Sequence, residues 1–170
     1  MNVRKVLVSQ VVTFLLHPNT PITILSSPAH VRWAMETCGQ GFALPIEEEK
    51  SITQCIELYR QWALEPLNRP PPIEGEQQFF LQQILNHYSL LFAPRATGPD
   101  VDKHAALCSK VLDIYVTIGR QLESQLSKDS WEVFLKLMIG IADSLFSPKR
   151  NDGLKERLVN QTLKARGFLP

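Results

Sequence analysis

EEEKSITQCIELYRQWA, residues 47–63, places Ile52, Ile56, Tyr59 and Ala63 at three- and four-residue steps. That period gathers side chains on one face of an α-helix. Cys55 and Trp62 flank the stripe, and Glu47, Glu48 and Glu49 put negative charge where a helix N-terminus favours it. Proline closes the segment on both sides, at Pro45 and again at Pro66. Because proline removes a backbone donor and clashes with the preceding turn, the segment reads as one helix bounded by breaks.

The same pattern extends in both directions. Upstream, Ser27-Pro28 forms a cap followed by proline at the first helical position, and Val31, Met35, Cys38 and Phe42 then align. Gly39 and Gly41 weaken the last turn of that helix. The first helix carries Val3, Leu7, Val11 and Leu15 at successive i,i+4 positions. Downstream, residues 66–75 (PLNRPPPIEG) make a break, followed by Phe80, Ile84, Tyr88 and Leu91 in line beside Phe79, Leu81, Leu85 and Phe92. A fifth helix bears Cys108, Leu112, Tyr115, Ile118 and Leu122. Ser127 caps a sixth with Trp131, Phe134, Leu135, Met138, Ile141 and Leu145, and Leu154, Leu158 and Leu163 mark a shorter seventh.

No run alternates with the period of a strand or carries a hairpin turn pair. The expectation is an all-α chain of about seven helices, packed as a helical bundle or a short HEAT/armadillo-like α-solenoid. Residues 1–170 are expected to form a single helical-repeat domain that is a fragment of a longer chain. A weak internal repeat supports this, because Leu91-Phe92-Ala93-Pro94-Arg95 and Leu145-Phe146-Ser147-Pro148-Lys149 share one pattern.

The composition is globular, with 44% apolar and 21% charged residues. A chain of this length can bury roughly 70% of its unfolded surface. A net charge of +1 creates no field that would gather nucleic acid or an anionic membrane. The apolar start, VRKVLVSQVVTFLL, resembles a signal peptide. It is interrupted by Ser9, Gln10 and Thr13, is followed by the poor cleavage context His17-Pro18-Asn19, and is too short to span a bilayer. It reads as the first helix, with no membrane insertion. Cys38, Cys55 and Cys108 form no CxxC pair, so reduced, buried thiols in a cytoplasmic protein are expected.

Chemistry-bearing motifs are lacking. HExxH and GxSxG do not occur, and Gly39-Gln40-Gly41 has no Lys-Ser/Thr partner and reads as a helix end. His17, His30, His87 and His104 are scattered and read as surface or helix-end positions. Arg69-Pro70-Pro71-Pro72 could adopt polyproline II but lacks the PxxP spacing, so it reads as an inter-helix connection. Trp33, Tyr59, Trp62, Tyr88, Tyr115 and Trp131 lie on or beside the apolar stripes and read as core. Lys149, Arg150, Lys155, Arg157, Lys164 and Arg166, interrupted by Asp152 and Glu156, read as a solvated face. The expectation is a non-enzymatic chain with no catalytic, cofactor-binding or metal-binding residues.

Several strings resemble one family. Val31-Arg32-Trp33-Ala34-Met35-Glu36, Gly41, Leu44-Pro45, the run Cys55 to Trp62, Ile84-Leu85-Asn86-His87, Leu91 to Arg95, Trp131-Glu132-Val133 and Ile141 to Pro148 are similar to the N-terminal region of the beta subunits of Ral GTPase-activating protein complexes. Order and spacing agree over residues 31–148, whereas the tail from Lys149 to Pro170 departs from the pattern. The resemblance implies a long helical subunit that pairs with an alpha subunit and acts indirectly on Ral-type small GTPases. The catalytic domain of such proteins lies elsewhere, so the resemblance carries over no catalytic residue. It implies a scaffold or regulatory segment with Trp33, Tyr59, Trp62 and Trp131 as packing residues. The alternative is a free-standing helical-repeat adaptor for an unrelated protein partner.

Overall fold

A computed structural model describes residues 2–165 and 167. Of these, 78% are helical and none is in a strand, far above the roughly one-third helix of an average globular protein. The helices are α1 (Val3–Leu16), α2 (Pro28–Gly39), α3 (Glu49–Leu64), α4 (Pro71–Gly75), α5 (Gln77–Ser89), α6 (Asp100–Gln121), α7 (Lys128–Phe146) and α8 (Leu154–Ala165). Seven correspond to the expected helices. The eighth, α4, is a five-residue turn of helix inside the proline-rich break. Pro71 and Pro72 occupy its first positions, where proline's missing donor costs nothing, so this segment is not a polyproline II strand.

The helix ends follow their sequence signals. The Ser27 hydroxyl accepts from the His30 backbone N–H at 3.2 Å, and that of Ser127 accepts from Ser130 at 3.1 Å, satisfying donors the helix itself leaves unpaired. α2 stops at Gly39, and the chain tightens into a 3-10 turn over Gln40–Ala43. The C-terminus of α3 is closed by a long-range cap. The buried Arg69 guanidinium donates to the carbonyls of Trp62 at 2.7 Å and Ala63 at 3.0 Å, and also reaches Glu74 on α4 at 3.0 Å.

Helices alternate between two rows along the chain. α1, α3, α6 and α8 contact one another in sequence to form one row, and α2, α5 and α7 form the other. The core lies between the rows, and tyrosines stitch successive helices across it. The Tyr59 hydroxyl of α3 donates to the Met35 carbonyl of α2 at 2.9 Å. Tyr88 of α5 donates to Ile56 of α3 at 2.8 Å, and Tyr115 of α6 donates to Leu85 of α5 at 2.7 Å. Their rings form a continuous edge-to-face series from Tyr59 through Tyr88 and Tyr115 to Phe134 and Trp131. Each ring therefore buries a large apolar area while its polar atom is satisfied.

Three packing expectations are corrected. α1 buries Val8 and Val12, flanked by Val11 and Leu15, while Val3 and Leu7 face solvent. The helix is apolar on nearly every side, so the pattern could not choose its inner face. Trp33 is 53% exposed instead of core, whereas Trp62 is 4% exposed. Leu135 also points outward, because α7 packs on its neighbours through Phe134 and Ile141. The histidine reading is corrected as well. His104 is fully buried, its Nε2–H donating to the Leu91 carbonyl at 2.6 Å, and His87 bonds the Tyr59 hydroxyl at 2.7 Å.

Candidate functional site

The groups that could carry chemistry are held in inert surroundings. Cys38, Cys55 and Cys108 are free and buried. Burial pushes the Cys108 thiol up to about 12, and the adjoining Cys38 together with burial raises that of Cys55. None offers the thiolate that nucleophilic attack requires. Burial lowers the proton affinity of both His87 and His104. His104 Nδ1 has no partner among the described residues, which suits the neutral Nε2–H tautomer. Among the described residues, no cluster of His, Cys, Asp and Glu could hold a metal ion, and no helix is long and apolar enough to cross a membrane.

The basic C-terminal residues separate into different environments. Arg150 is not on a solvated face. It forms a bidentate pair with Asp152, and the two side chains are almost completely buried. Its guanidinium and the Leu154 backbone N–H, which donates to the same carboxylate, hold Asp152 below the usual carboxylate range against the opposing effect of burial. Arg157 pairs with Asp102 of α6 at 3.4 Å. The Lys155 ammonium lies 5.5 Å from the Phe146 ring centroid. Arg166 lies outside the described residues.

What the surface does present is an apolar edge on α7 and α8. Leu135, Ile139 and Phe146 are exposed at i, i+4 and i+11, one stripe along α7, with Ile139 62% and Phe146 68% exposed. Beside Phe146, a groove of about 270 Å³ is lined by Leu112, Leu145, Leu158, Val159 and Leu163. The two sequence-related helix ends show what is unusual here. Phe92, in the first Leu-Phe-x-Pro-basic segment, is 2% exposed and sits in a turn packed against α6 and α7. Phe146, its counterpart in the second segment, is open to solvent.

Fold and surface together describe an all-α, two-row stack with a contiguous apolar edge, the kind of surface that marks protein contact sites. The comparisons with known proteins agree with the family resemblance read from the sequence. The model of the RALGAPB N-terminal domain matches residues 100–165, which are α6, α7 and α8, and it continues past Pro148 into the tail. The chain is 28% identical to the Ral GTPase-activating protein subunit beta of Mus musculus over 83% of this chain and 10% of that protein. The Homo sapiens subunit gives 28% over 82% of this chain and 9% of that protein. A Rap-GAP domain-containing protein of Dictyostelium discoideum is 42% identical over 56% of this chain and 6% of that protein. The chain thus spans about a tenth or less of these relatives' length. No solved structure matches it.

Sequence reasoning placed Tyr59, Trp62, Tyr88 and Tyr115 correctly in the core, with Trp131 partly buried at its margin. It missed the α7 edge by counting Leu135 among the packed residues. The available signal was the high apolar content of α7, which carries more apolar positions than one buried stripe can absorb.

Proposed function

We propose that this chain is a non-catalytic scaffold or regulatory segment of a Ral GTPase-activating protein complex, contributing to GTPase activation through protein–protein contacts. The observation that carries the proposal is a coincidence of place. The residues matched by the RALGAPB N-terminal domain are the helices that expose Leu135, Ile139 and Phe146. An edge of this kind lowers its free energy by association, at about 25 cal/mol per Å² of apolar surface covered. In this reading the chain is one helical-repeat unit whose α7–α8 edge seats a further helical surface, as α6 and α7 seat the turn around Phe92. The partner is the alpha subunit of the complex, Ral-type GTPases are affected indirectly, and the buried reduced thiols suit a cytoplasmic setting.

The test is a pull-down of the purified alpha subunit by this chain, beside Ile139→Glu and Phe146→Ser. Both positions are exposed, so the variants keep their fold. Wild-type capture, with loss of at least tenfold in affinity in both variants, supports the reading. Capture that is absent, or indifferent to both substitutions, contradicts it and favours an adaptor for an unrelated partner.

A further inference from the structure

The opposite end of the stack carries a second surface, distinct from the α7–α8 edge. On α1, Val3, Leu7, Gln10 and Phe14 fall at i, i+4, i+7 and i+11. They share the face turned away from Val8 and Val12, and Val3, Leu7 and Phe14 are exposed. A helix apolar on its outward side as well as its inward one is normally covered on both. Alongside that face runs a groove of about 410 Å³, lined by Val11, Phe14, Leu15, Ile24 and Trp33 with Gln10 at its side. The walls are rigid. α1 is held by Val8 and Val12, and the connection after it is pinned by the Thr20 hydroxyl, which donates to the Phe14 carbonyl at 2.6 Å. Trp33 stands on α2, whose own packing is through Val31, Ala34 and Met35. An exposed tryptophan over an apolar groove is the side chain most often found dominating binding energy at interfaces.

The charge around the groove is one-sided. The first 35 residues contain no Asp or Glu, and their cations are Arg4, Lys5 and Arg32. Lys5 is committed to Glu48, and Arg32 to Glu76 and the Phe79 ring. Arg4 is exposed, and at i−3 from Leu7 and i−7 from Val11 it flanks the groove.

We infer that the α1–α2 groove is a docking site for an amphipathic helix of a protein partner, with its apolar stripe on Leu7, Phe14, Ile24 and Trp33 and an acidic flank facing Arg4. A concave trough between helical walls fits a helix laid lengthwise, which anchors through residues at i, i+3, i+4 and i+7. The opposed charges set orientation and exclude basic helices more than they add affinity. The inference does not depend on the Ral GTPase-activating reading and concerns different residues.

The experiment uses the whole chain labelled with 15N, whose three tryptophans give three indole N–H signals, with Trp33 assigned from Trp33→Phe. The probes are two synthetic helices of about five turns with the same leucine stripe, one flanked by glutamate and one by lysine. Anionic phospholipid vesicles are a third probe. The expected result is movement of the Trp33 signal, with those of Trp62 and Trp131 fixed, and at least tenfold tighter binding of the glutamate-flanked helix. Arg4→Glu reverses that preference, and Phe14→Ser, at an exposed position, weakens both peptides. Equal affinity for the two helices, or a Trp33 signal that neither moves, overturns the inference. Vesicle binding without peptide binding assigns the surface to lipid and overturns it too. So does sedimentation of the free chain as a dimer that Phe14→Glu converts to monomer, because the groove is then covered by a second copy.

Discussion

The Tyr88 hydroxyl of α5 donates to the Ile56 carbonyl of α3 at 2.8 Å, in the fully buried centre of the stack. Its ring lies edge-on to Tyr59 and Tyr115, which make the same kind of bond to the helices before them. Tyr88→Phe keeps the ring and removes only the donor. It should cost about 0.5–1.5 kcal/mol, the net worth of an ordinary buried hydrogen bond. Tyr88→Ala should cost about 3–5 kcal/mol through the cavity it leaves. Urea unfolding of the two variants beside the wild type measures both.

Trp62 and Trp33 should respond oppositely to truncation. Trp62 is buried and stacks on Tyr59 with centroids 6.3 Å apart, so Trp62→Ala should lower stability by roughly 3 kcal/mol or more. Trp33→Ala removes an exposed ring and should stay within about 0.5 kcal/mol of wild type. Denaturation midpoints that moved equally would contradict this division of roles.

Two glycines in the second helix and its following turn permit close approach of neighbours. A Cβ on Gly39 would stand 2.6 Å from the His87 ring, and one on Gly41 would stand 2.5 Å from Cys55 Sγ. Gly41→Ala should cost about 1–3 kcal/mol through overpacking, since Cys55 is itself enclosed. Gly39→Ala should in addition disturb the His87–Tyr59 hydrogen bond, visible as a shifted His87 ring resonance. Gly75→Ala, where the added methyl meets nothing within 4 Å, is the control and should show neither effect.

Acid should weaken the fold through His104 and His87. Burial depresses the folded-state proton affinity of both rings, and for His104 the cations Arg95 and Arg150 add to the effect. The unfolded chain therefore binds more protons once pH falls below about 6.5, and stability declines as it drops from there towards the folded values. Their contribution is fully present above that pH. The predicted observation is a midpoint that is level between pH 7 and 8 and falls between pH 6.5 and 5. His104→Leu should show a shallower fall, whatever its absolute stability. An unchanged slope would mean that His104 is not held neutral.

The sequence carried much of this architecture because its breaks and stripes reinforce one another. Ser27-Pro28, Ser127 and the prolines punctuate the chain where the helices start and stop, and α3 buries all of Ile52, Ile56, Tyr59 and Ala63. Reading failed where a helix has more apolar residues than its inner face can use. α1 and α7 each offer two plausible stripes, and only the packed neighbours choose Val8–Val12 and Phe134–Ile141 as the inner ones. Those two helices also hold the candidate binding surfaces, so apolar excess that confuses a fold prediction is itself a sign of an interface. His104 escaped notice because a single histidine among polar and apolar neighbours gives no sign that its Nε2–H will find the Leu91 carbonyl. The tyrosine series was legible as core aromatics but not as inter-helix hydrogen bonds, which depend on how successive helices stack.

The most direct test of a non-catalytic role is single-turnover GTP hydrolysis by purified Ral with this chain in excess. Acceleration requires a side chain placed against the transferring phosphoryl group, where charge develops in the transition state. The arginines nearest the apolar edge are committed elsewhere, Arg150 to Asp152 and Arg157 to Asp102. Binding that is equal in the ground and transition states would not lower the barrier. The predicted result is an unchanged rate. A tenfold or greater increase, equal to about 1.4 kcal/mol of barrier, would contradict the account.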